Sequence, residues 1–293
     1  MAKSNTKAYD VIADRILDLL DKGEVPWRKP WSLHPGMRPR NAASNRPYSG
    51  INALMLGLSG YSDARWVTFK GAQQLGGHIH RGEKATPIVF WKQFTIQAED
   101  ENGDAVHKVI PMLRYYSVFN VGQCDGLDLA PIETPESFDP IQAAEAVIAN
   151  MPDRPAMDHD GADRAYYRPS EDRIHLPLRT AFDGAGEYYS TVFHELGHST
   201  GHKSRLNRHG METGIAPFGS ATYSKEELAA EFAAAFLCNE SGITNTVDNS
   251  AAYIQGWAKA INKDRRLVVQ AASQGQKAAD YILARSAENQ TAG

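Results

Sequence analysis

The chain has 293 residues, of which 42% are apolar and 23% are charged, and its formal net charge is −4. This composition is typical of a soluble globular protein with room for two ordinary domains, and it excludes a disordered or fibrous chain. The sequence predicts no transmembrane helix, no secretion signal and, with two cysteines, no disulfide scaffold. We therefore expect a cytoplasmic protein.

Charge is unevenly distributed along the chain. Residues 1–98 hold 14 Lys and Arg against 7 Asp and Glu, whereas residues 99–140 hold 2 against 9. Four of the five tryptophans also lie in the basic segment. Such a split indicates a polyanionic partner for the first part of the chain alone.

The first predicted elements are helical and are followed by an irregular stretch. Apolar residues at helical spacing predict a helix over residues 8–21, and Gly23 supplies a stop. Residues 26–50 contain five prolines and no periodicity, which predicts an irregular, exposed segment. Residues 51–58 are apolar, and their length does not decide between a helix and a strand.

A hairpin and a linker are predicted next. Residues 66–97 predict a short helix, a Gly-Gly turn and then strands. Residues 85–96 and 107–120 predict an antiparallel hairpin around the polar loop EDENGD. The acidic, proline-rich stretch 125–140 predicts a linker with the boundary near residue 135. We accordingly expect a first domain over residues 1–130, a linker over 131–140 and a second domain over 141–293.

The second domain is predicted to be mainly helical. Residues 141–151 predict a helix, and residues 165–177 predict two short strands around a polar turn. Three helical segments follow, around HELGH, over KEELAAEFAAAFLCN, and from AAYIQGWAKAI to the end of VVQAASQGQKAADYILARS. Together the two domains predict an α+β fold.

The stretch HELGH predicts a metal site. On a helix His194 and His198 project from one face and can share one ion, and Glu195 lies beside them as a candidate general base. Zinc suits two imidazoles plus a carboxylate or a third imidazole, with the fourth position left for water. We expect one Zn²⁺ per chain, with other divalent ions such as Mn²⁺ as alternatives.

The sequence offers several candidates for the third ligand. His202 would lie about 12 Å beyond His194 along the same helix, which is too far for the two imidazoles to share one ion, unless the chain turns back at Gly201. In the next helical segment Glu227 and Glu231 share one face, so we predict Glu227 as the ligand and Glu231 as a partner of a ligand imidazole. Glu226 faces differently, and Glu226, Glu231 and His202 all stay alternatives for the third ligand or for the partner of a ligand imidazole.

Two further features of the second domain are compatible with peptide chemistry. The strands of YYRPSEDRIHLP would offer an edge for an extended peptide, although an ordinary hairpin fits equally. Tyr223 is a candidate donor to the oxyanion of amide hydrolysis, although packing is the commoner role of such a tyrosine.

The basic segment interleaves cations with aromatic rings, a pattern typical of single-stranded DNA binding. We expect Trp66, Phe90 and Trp91 in the core, and core or DNA contact equally for Trp27 and Trp31. No recognition helix for duplex DNA is visible. The candidate DNA-contacting residues are Trp27, Arg28, Lys29, Trp31, Arg38, Arg40, Arg46, Tyr48, Lys70, Arg81 and Lys84.

These motifs together resemble the ArdC-type antirestriction proteins of conjugative plasmids. The resemblance spans about residues 8–240 and rests, in the first domain, on PWRKPW, RPYSGIN, WVTFKGAQQLGG and RGEKATPIVFW. In the second domain it rests on YYRPSEDRIHLP, TVFHELGHSTGHKSRLNR and YSKEELAAEFAAAFL.

The resemblance implies a mixed α/β domain that binds single-stranded DNA and a zincin-like metallopeptidase domain of the gluzincin or SprT-like kind. It implies His194, His198 and a glutamate of YSKEELAAE as ligands, with Glu195 as the base. It also implies protection of incoming plasmid DNA from host restriction during conjugation.

Three interpretations remain open at this point. The protein is a peptidase tethered to single-stranded DNA, with a host restriction or other DNA-bound protein as its substrate. Alternatively it is a shield for single strands whose metal only stabilises the fold. The third interpretation is a general cytoplasmic metallopeptidase whose basic half recognises acidic protein. None of the three involves a membrane.

Overall fold

The described part of the protein is an α+β fold, as predicted. A computed structural model describes residues 2–99, 105–131, 139–161, 163–208, 221–244 and 250–285. The helices within these ranges are α1 (Ala2–Asp21), α2 (Gly50–Gly57), α3 (Phe69–Gln74), α4 (Pro140–Ala149), α5 (Ala185–Ser199), α6 (Ala221–Ser241), α7 (Ala251–Lys263) and α8 (Leu267–Ile282). The strands are β1 (Arg40–Asn41), β2 (Arg65–Val67), β3 (His78–Ile79), β4 (Thr86–Glu99), β5 (Ala105–Asn120), β6 (Cys124–Asp125), β7 (Ala156–His159), β8 (Tyr166–Arg168) and β9 (Arg173–Leu176).

The first two helices follow the apolar pattern of the sequence. Helix α1 begins earlier than predicted and buries Ile12 and Ile16, which lie one turn apart. It ends at Asp21, and Gly23 follows with a φ of +80°, a left-handed conformation that suits glycine at a helix stop. The segment 51–58, undecided from the sequence, lies mostly in α2, and every residue of that helix is buried.

The predicted hairpin is confirmed. Strands β4 and β5 pair antiparallel from Thr86↔Val118 to Glu99↔Ala105, and the tip, residues 100–104, lies outside the described residues. The sheet continues through β2 and β1 in the order β1-β2-β5-β4, with β1 and β2 parallel. A separate pair, β3 with β6, follows the short helix α3 and the Gly-Gly turn. Strand β4 of the four-stranded sheet packs beside α2.

The second half confirms the predicted short strands and differs in one helix. Strands β8 and β9 form the antiparallel pair, and β7 adds to β9 in parallel. Where the sequence predicted three helical segments, the described residues contain four, because the last segment is divided. Helix α7 ends at Lys263, Asp264 takes an extended backbone, and α8 begins at Leu267.

Two glycines let α6 lie unusually close to its neighbours. A side chain at Gly197 of α5 would meet the Cα atom of Ala230 at 3.1 Å, and one at Gly275 of α8 would meet the Cβ atom of Phe232 at 2.5 Å. Both separations are shorter than ordinary contacts between side chains. The absence of a side chain at Gly197 therefore allows α5 and α6 to bring their polar residues face to face.

The two halves of the chain share one apolar core. The Trp27 ring lies 5.5 Å from Phe232 and 5.7 Å from Trp257, and Trp27 is only 2% exposed. The stretch 26–50 is irregular as predicted, but the prediction that it is exposed is wrong, because apolar side chains within it join the core. The domain boundary near residue 135 stays a prediction. Among the described residues no helix has the length and apolar character needed to cross a membrane.

Candidate metal centre and basic clefts

Helix α5 brings two imidazoles together. His194 and His198 are four residues apart and lie on the same face, so that their Nε2 atoms are 3.1 Å from each other. Both side chains are mostly shielded from solvent. Between them in sequence, Glu195 is a buried acid on the same helix. This arrangement is what the HELGH motif predicts.

The nearest carboxylate to both imidazoles belongs to Glu227 of α6. Its Oε2 atom lies 3.6 Å from Nε2 of His194, and its Oε1 atom lies 3.4 Å from Nε2 of His198. A tetrahedral ion with ligand distances of about 2.1 Å separates its donor atoms by about 3.4 Å. The three donors therefore already have the spacing that a single divalent ion requires. They form one group of candidate metal-binding residues.

The outer nitrogen of His198 faces a second carboxylate. Glu226 places Oε1 3.5 Å from Nδ1 of His198, opposite the nitrogen that faces Glu227. Arg208 donates from Nε to Oε2 of Glu226 at 3.0 Å and from Nη2 to the carbonyl oxygen of Gly197 at 2.8 Å. Burial alone would raise the pKa of Glu226, but its interactions with His198 and Arg208 outweigh burial and lower the pKa to about 2. Glu226 is thus an ionised partner of His198.

The Glu231 carboxylate has different partners from those expected. It accepts hydrogen bonds from Nη2 of Arg28 at 2.8 Å and from the Tyr253 hydroxyl at 2.6 Å. Glu231 therefore acts on the ligand imidazole of His194 through its charge, whereas Glu226 is the carboxylate that faces the outer nitrogen of His198. The difference arises because Glu231 lies one helical turn beyond Glu227, where the loop carrying Arg28 covers α6.

Two other residues singled out in the sequence are not part of the described donor group. His202 follows the end of α5, and its Nδ1 atom lies 2.8 Å from the Ser204 hydroxyl. Its imidazole does not belong with the three converging donors. The side chain of Tyr223, the candidate oxyanion donor, lies outside the described residues.

The centre carries a negative potential. Burial disfavours a charged His194, yet the hydrogen bond with Glu227 and the charges of Glu231 and Glu195 raise its pKa to about 9. Carboxylates that stabilise a proton on the imidazole also attract a divalent cation to the same place. The residues present therefore fit a divalent metal ion.

The PWRKPW motif of the basic half contacts the second half of the chain. Trp27 packs in the core and donates from Nε1 to the Tyr253 hydroxyl at 3.1 Å. Arg28 is held by Glu231, and Trp31 is partly buried 6.0 Å from the ring of Phe236. Trp27, for which core and DNA contact were equally expected, therefore lies in the core, and Arg28 is corrected from a DNA contact to the partner of a buried carboxylate. Lys29 stays at the surface beside Glu24, at 2.6 Å.

Four other candidates line two neighbouring clefts. A central cleft of 620 Å³ is lined by Arg38 and Arg40, and an outer cleft of 270 Å³ is lined by Arg46 and the edge of the buried Tyr48. The central cleft lies between the face of the hairpin and α8. The remaining candidates, which are exposed but line neither cleft, are Lys70, Arg81 and Lys84.

Sequence reasoning missed several residues of these clefts. Trp91, expected in the core, is 52% exposed and lines the central cleft, whereas Trp66 is fully buried as expected. Lys277 and Arg285, near the other end of the chain, line the same cleft. The alternation of β4 could have placed Trp91 on the face of Val89, but no local pattern connects α8 to this face.

Both halves of the chain are similar to known protein domains. The sequence model of the N-terminal domain of the anti-restriction factor ArdC matches residues 6–119, and the model of a zincin-like metallopeptidase matches residues 142–274. Two crystal structures of the antirestriction protein ArdC from the R388 plasmid are similar to this chain. The metal-free structure has a TM-score of 0.71 and 36% sequence identity, and the alignment covers 96% of this chain and 97% of the ArdC chain. The Mn(II)-bound one has a TM-score of 0.72 and 35% identity and covers 97% and 98%.

Curated relatives extend the comparison. An uncharacterised protein, y4eC of Sinorhizobium fredii, is 32% identical over 97% of this chain and 94% of its own length. Two DNA primases TraC of Escherichia coli are 39% and 37% identical over 97% and 94% of this chain. The chain spans only 28% and 20% of the length of those two primases.

Proposed function

This chain belongs to the ArdC family of antirestriction proteins, and from that premise we propose that it protects incoming plasmid DNA from host restriction during conjugation. In this proposal the basic half binds single-stranded DNA, and the second half is a metallopeptidase that acts on a protein at the DNA. The observation that carries the proposal is the convergence of His194, His198 and Glu227 with Glu195 on the same helix.

The roles of the side chains follow from their positions. His194, His198 and Glu227 would hold the ion, and Glu226, fixed by Arg208, would keep the His198 ring in its orientation. When bound, a divalent ion supplies Lewis-acid catalysis for amide hydrolysis. Glu195 would accept the proton of the attacking water and return it to the leaving nitrogen as the amide bond breaks.

Zinc is the ion that we propose for the resident site. Two imidazole nitrogens and one carboxylate are a common donor set for catalytic zinc, which keeps its fourth position open. Manganese prefers more oxygen ligands in an octahedral arrangement. The Mn(II)-bound relative nevertheless supports a site that accepts more than one divalent ion.

The partners follow from the two halves. Single-stranded DNA is the polyanion that the basic half would bind, and a host restriction protein or another DNA-bound protein in the cytoplasm is the proposed peptidase substrate. The chain would then act as a peptidase that its DNA-binding half brings to the substrate. A DNA shield with a purely structural metal is the principal competing function.

The proposal is tested with purified protein loaded with zinc. We expect cleavage of an unstructured protein substrate, and we expect Glu195→Ala to abolish it while zinc content and folding stay unchanged. We also expect affinity for a labelled single-stranded oligonucleotide to exceed affinity for the matching duplex and to fall steeply with salt. Cleavage retained in Glu195→Ala would contradict the peptidase role, and equal affinity for both DNA forms would contradict the single-strand role.

A further inference from the structure

The central cleft is continuous with two others. It shares Pro47, Ser49 and Phe90 with the outer cleft. On its other side it shares Trp91, Val269 and Ser273 with an inner cleft of 380 Å³. The outer, central and inner clefts together are called the groove below. Because Trp91 lines both the central and the inner cleft, it lies where the hairpin of the first half meets α8 of the second.

Exposed cations lie along the groove from one half of the chain to the other. Arg46 lines the outer cleft, Lys277 of α8 lines the central cleft, and Lys225 of α6 lines the inner cleft. All three side chains are exposed. Arg40 adds a fourth cation in the central cleft, where its Nη1 atom donates to the neutral Asn45 side chain at 3.3 Å. These charges suit a ligand with regularly spaced phosphates.

The acidic group of the central cleft is largely neutralised. Asp280 is buried and lies 3.6 Å from Arg38 and 3.8 Å from Arg285. Its Oδ1 atom also accepts from Nε2 of Gln276 at 3.0 Å, and burial raises its pKa. Arg285 is further paired with Glu240 at 2.6 Å. Arg38 and Arg285 therefore balance the carboxylates, and the exposed cations give the groove its positive charge.

Aromatic rings accompany the cations. Trp91 is 52% exposed at the junction, and Tyr116, 39% exposed, lines the outer cleft with its ring 5.9 Å from that of Phe90. An exposed tryptophan ring presents a flat aromatic face to a ligand. Unpaired bases stack on such rings, whereas bases inside a duplex do not present their faces. The combination therefore favours a single strand over a duplex.

We infer that a single DNA strand follows this groove across both halves, stacks a base on Trp91 and places phosphates beside Lys277 of α8 and Lys225 of α6. The inference rests on the proposed single-strand binding and extends it, because it assigns DNA contacts to the half of the chain that holds the metal centre. Lys225 lies two residues before Glu227 on the same helix. The strand would thus run toward the helix that supplies the carboxylate of the metal centre.

The test measures the affinity of the full chain for a labelled single-stranded oligonucleotide at several salt concentrations. We expect Trp91→Ala to weaken binding about tenfold, Trp91→Phe to keep most of the affinity, and Lys277→Gln to weaken binding about threefold or more with a salt slope shallower by about 0.7. Lys259→Gln is the matched control, because Lys259 is an exposed lysine of α7 that lines none of the three clefts. Thermal unfolding confirms that each variant is folded.

A second readout does not depend on substitutions. A bromouracil-containing oligonucleotide, crosslinked to the wild-type protein by light, should label a peptide of α8 as well as one of β4. If wild-type protein binds single strands, but Trp91→Ala and Lys277→Gln match Lys259→Gln and α8 is not labelled, the strand runs elsewhere and only this inference is wrong. If wild-type protein does not bind single strands, the proposed DNA-binding function is also wrong.

Discussion

The metal centre and the groove are assembled from the sequence in different ways. In the metal centre, two of the three donors come from five consecutive residues of α5, and the third comes from α6, which Gly197 allows to approach closely. In the groove, Arg46, Trp91 and Lys277 come from three distant parts of the chain. The first site is thus determined mainly by helix geometry, whereas the second depends on how the two halves pack together.

The largest effect is expected from removing a ligand of the metal centre. His194→Ala should weaken zinc binding on the order of a hundredfold or more, because one of three protein ligands is lost. His202→Ala is the matched control and should keep one zinc per chain, since His202 does not belong to the donor group. Elemental analysis and competition with a chelator measure both. Full metal retention in His194→Ala would contradict the site, and metal loss in His202→Ala would give His202 a role that the structure does not.

The next effect separates a shielded ion pair from an exposed one. Arg28→Ala should lower the free energy of unfolding by about 3 kcal/mol, because it leaves the buried carboxylate of Glu231 without its cation. Lys29→Ala breaks an exposed pair with Glu24 and should change stability by about 1 kcal/mol or less. Urea unfolding measures both variants. An unchanged stability of Arg28→Ala together with weaker DNA binding would return Arg28 to the DNA contacts.

A smaller effect should appear in acid. The pKa of Glu226 is lowered to about 2 in the folded chain, so its ionised form contributes stability above the ordinary carboxyl pKa of about 4.5. This contribution, on the order of 2 to 3 kcal/mol, is lost as the pH falls from about 4.5 toward 2. In metal-free protein the wild type should lose stability over this window, and Glu226→Gln should lose less. Parallel pH profiles for the two proteins would show that Arg208 and His198 do not stabilise the Glu226 carboxylate.

The difference between the metal centre and the groove also explains which residues could be predicted from the sequence. The spacing of His194 and His198 and the shared helix face of Glu227 and Glu231 brought the donor group close to its observed form. Glu226 was predicted only as an alternative to Glu231, because the direction of the Glu226 carboxylate depends on Arg208, whose position follows from the turn after α5. Local spacing does not contain that turn.

Two tryptophans show that local sequence composition does not determine which rings are buried. Trp27 lies between charges and prolines, yet it is buried, because the loop that carries it packs against α6 and α7. Trp91 lies in an apolar strand, yet it is exposed at the junction of the two halves. Neighbours in space, which come from the far end of the chain, decide between the two expectations for Trp27 and accompany the reversed one for Trp91. The hairpin and the fold class, which depend on local alternation, were predicted correctly.

The most direct test of the account is the transfer of a restriction-sensitive plasmid into recipients that carry wild-type or Glu195→Ala protein. The substitution removes the proposed base and leaves the proposed ligands His194, His198 and Glu227 in place. The account predicts that wild-type protein raises the yield of transconjugants in restricting recipients and that Glu195→Ala does not, although it is folded and binds single strands equally well. Full protection by Glu195→Ala would contradict the peptidase account and assign antirestriction to DNA binding alone.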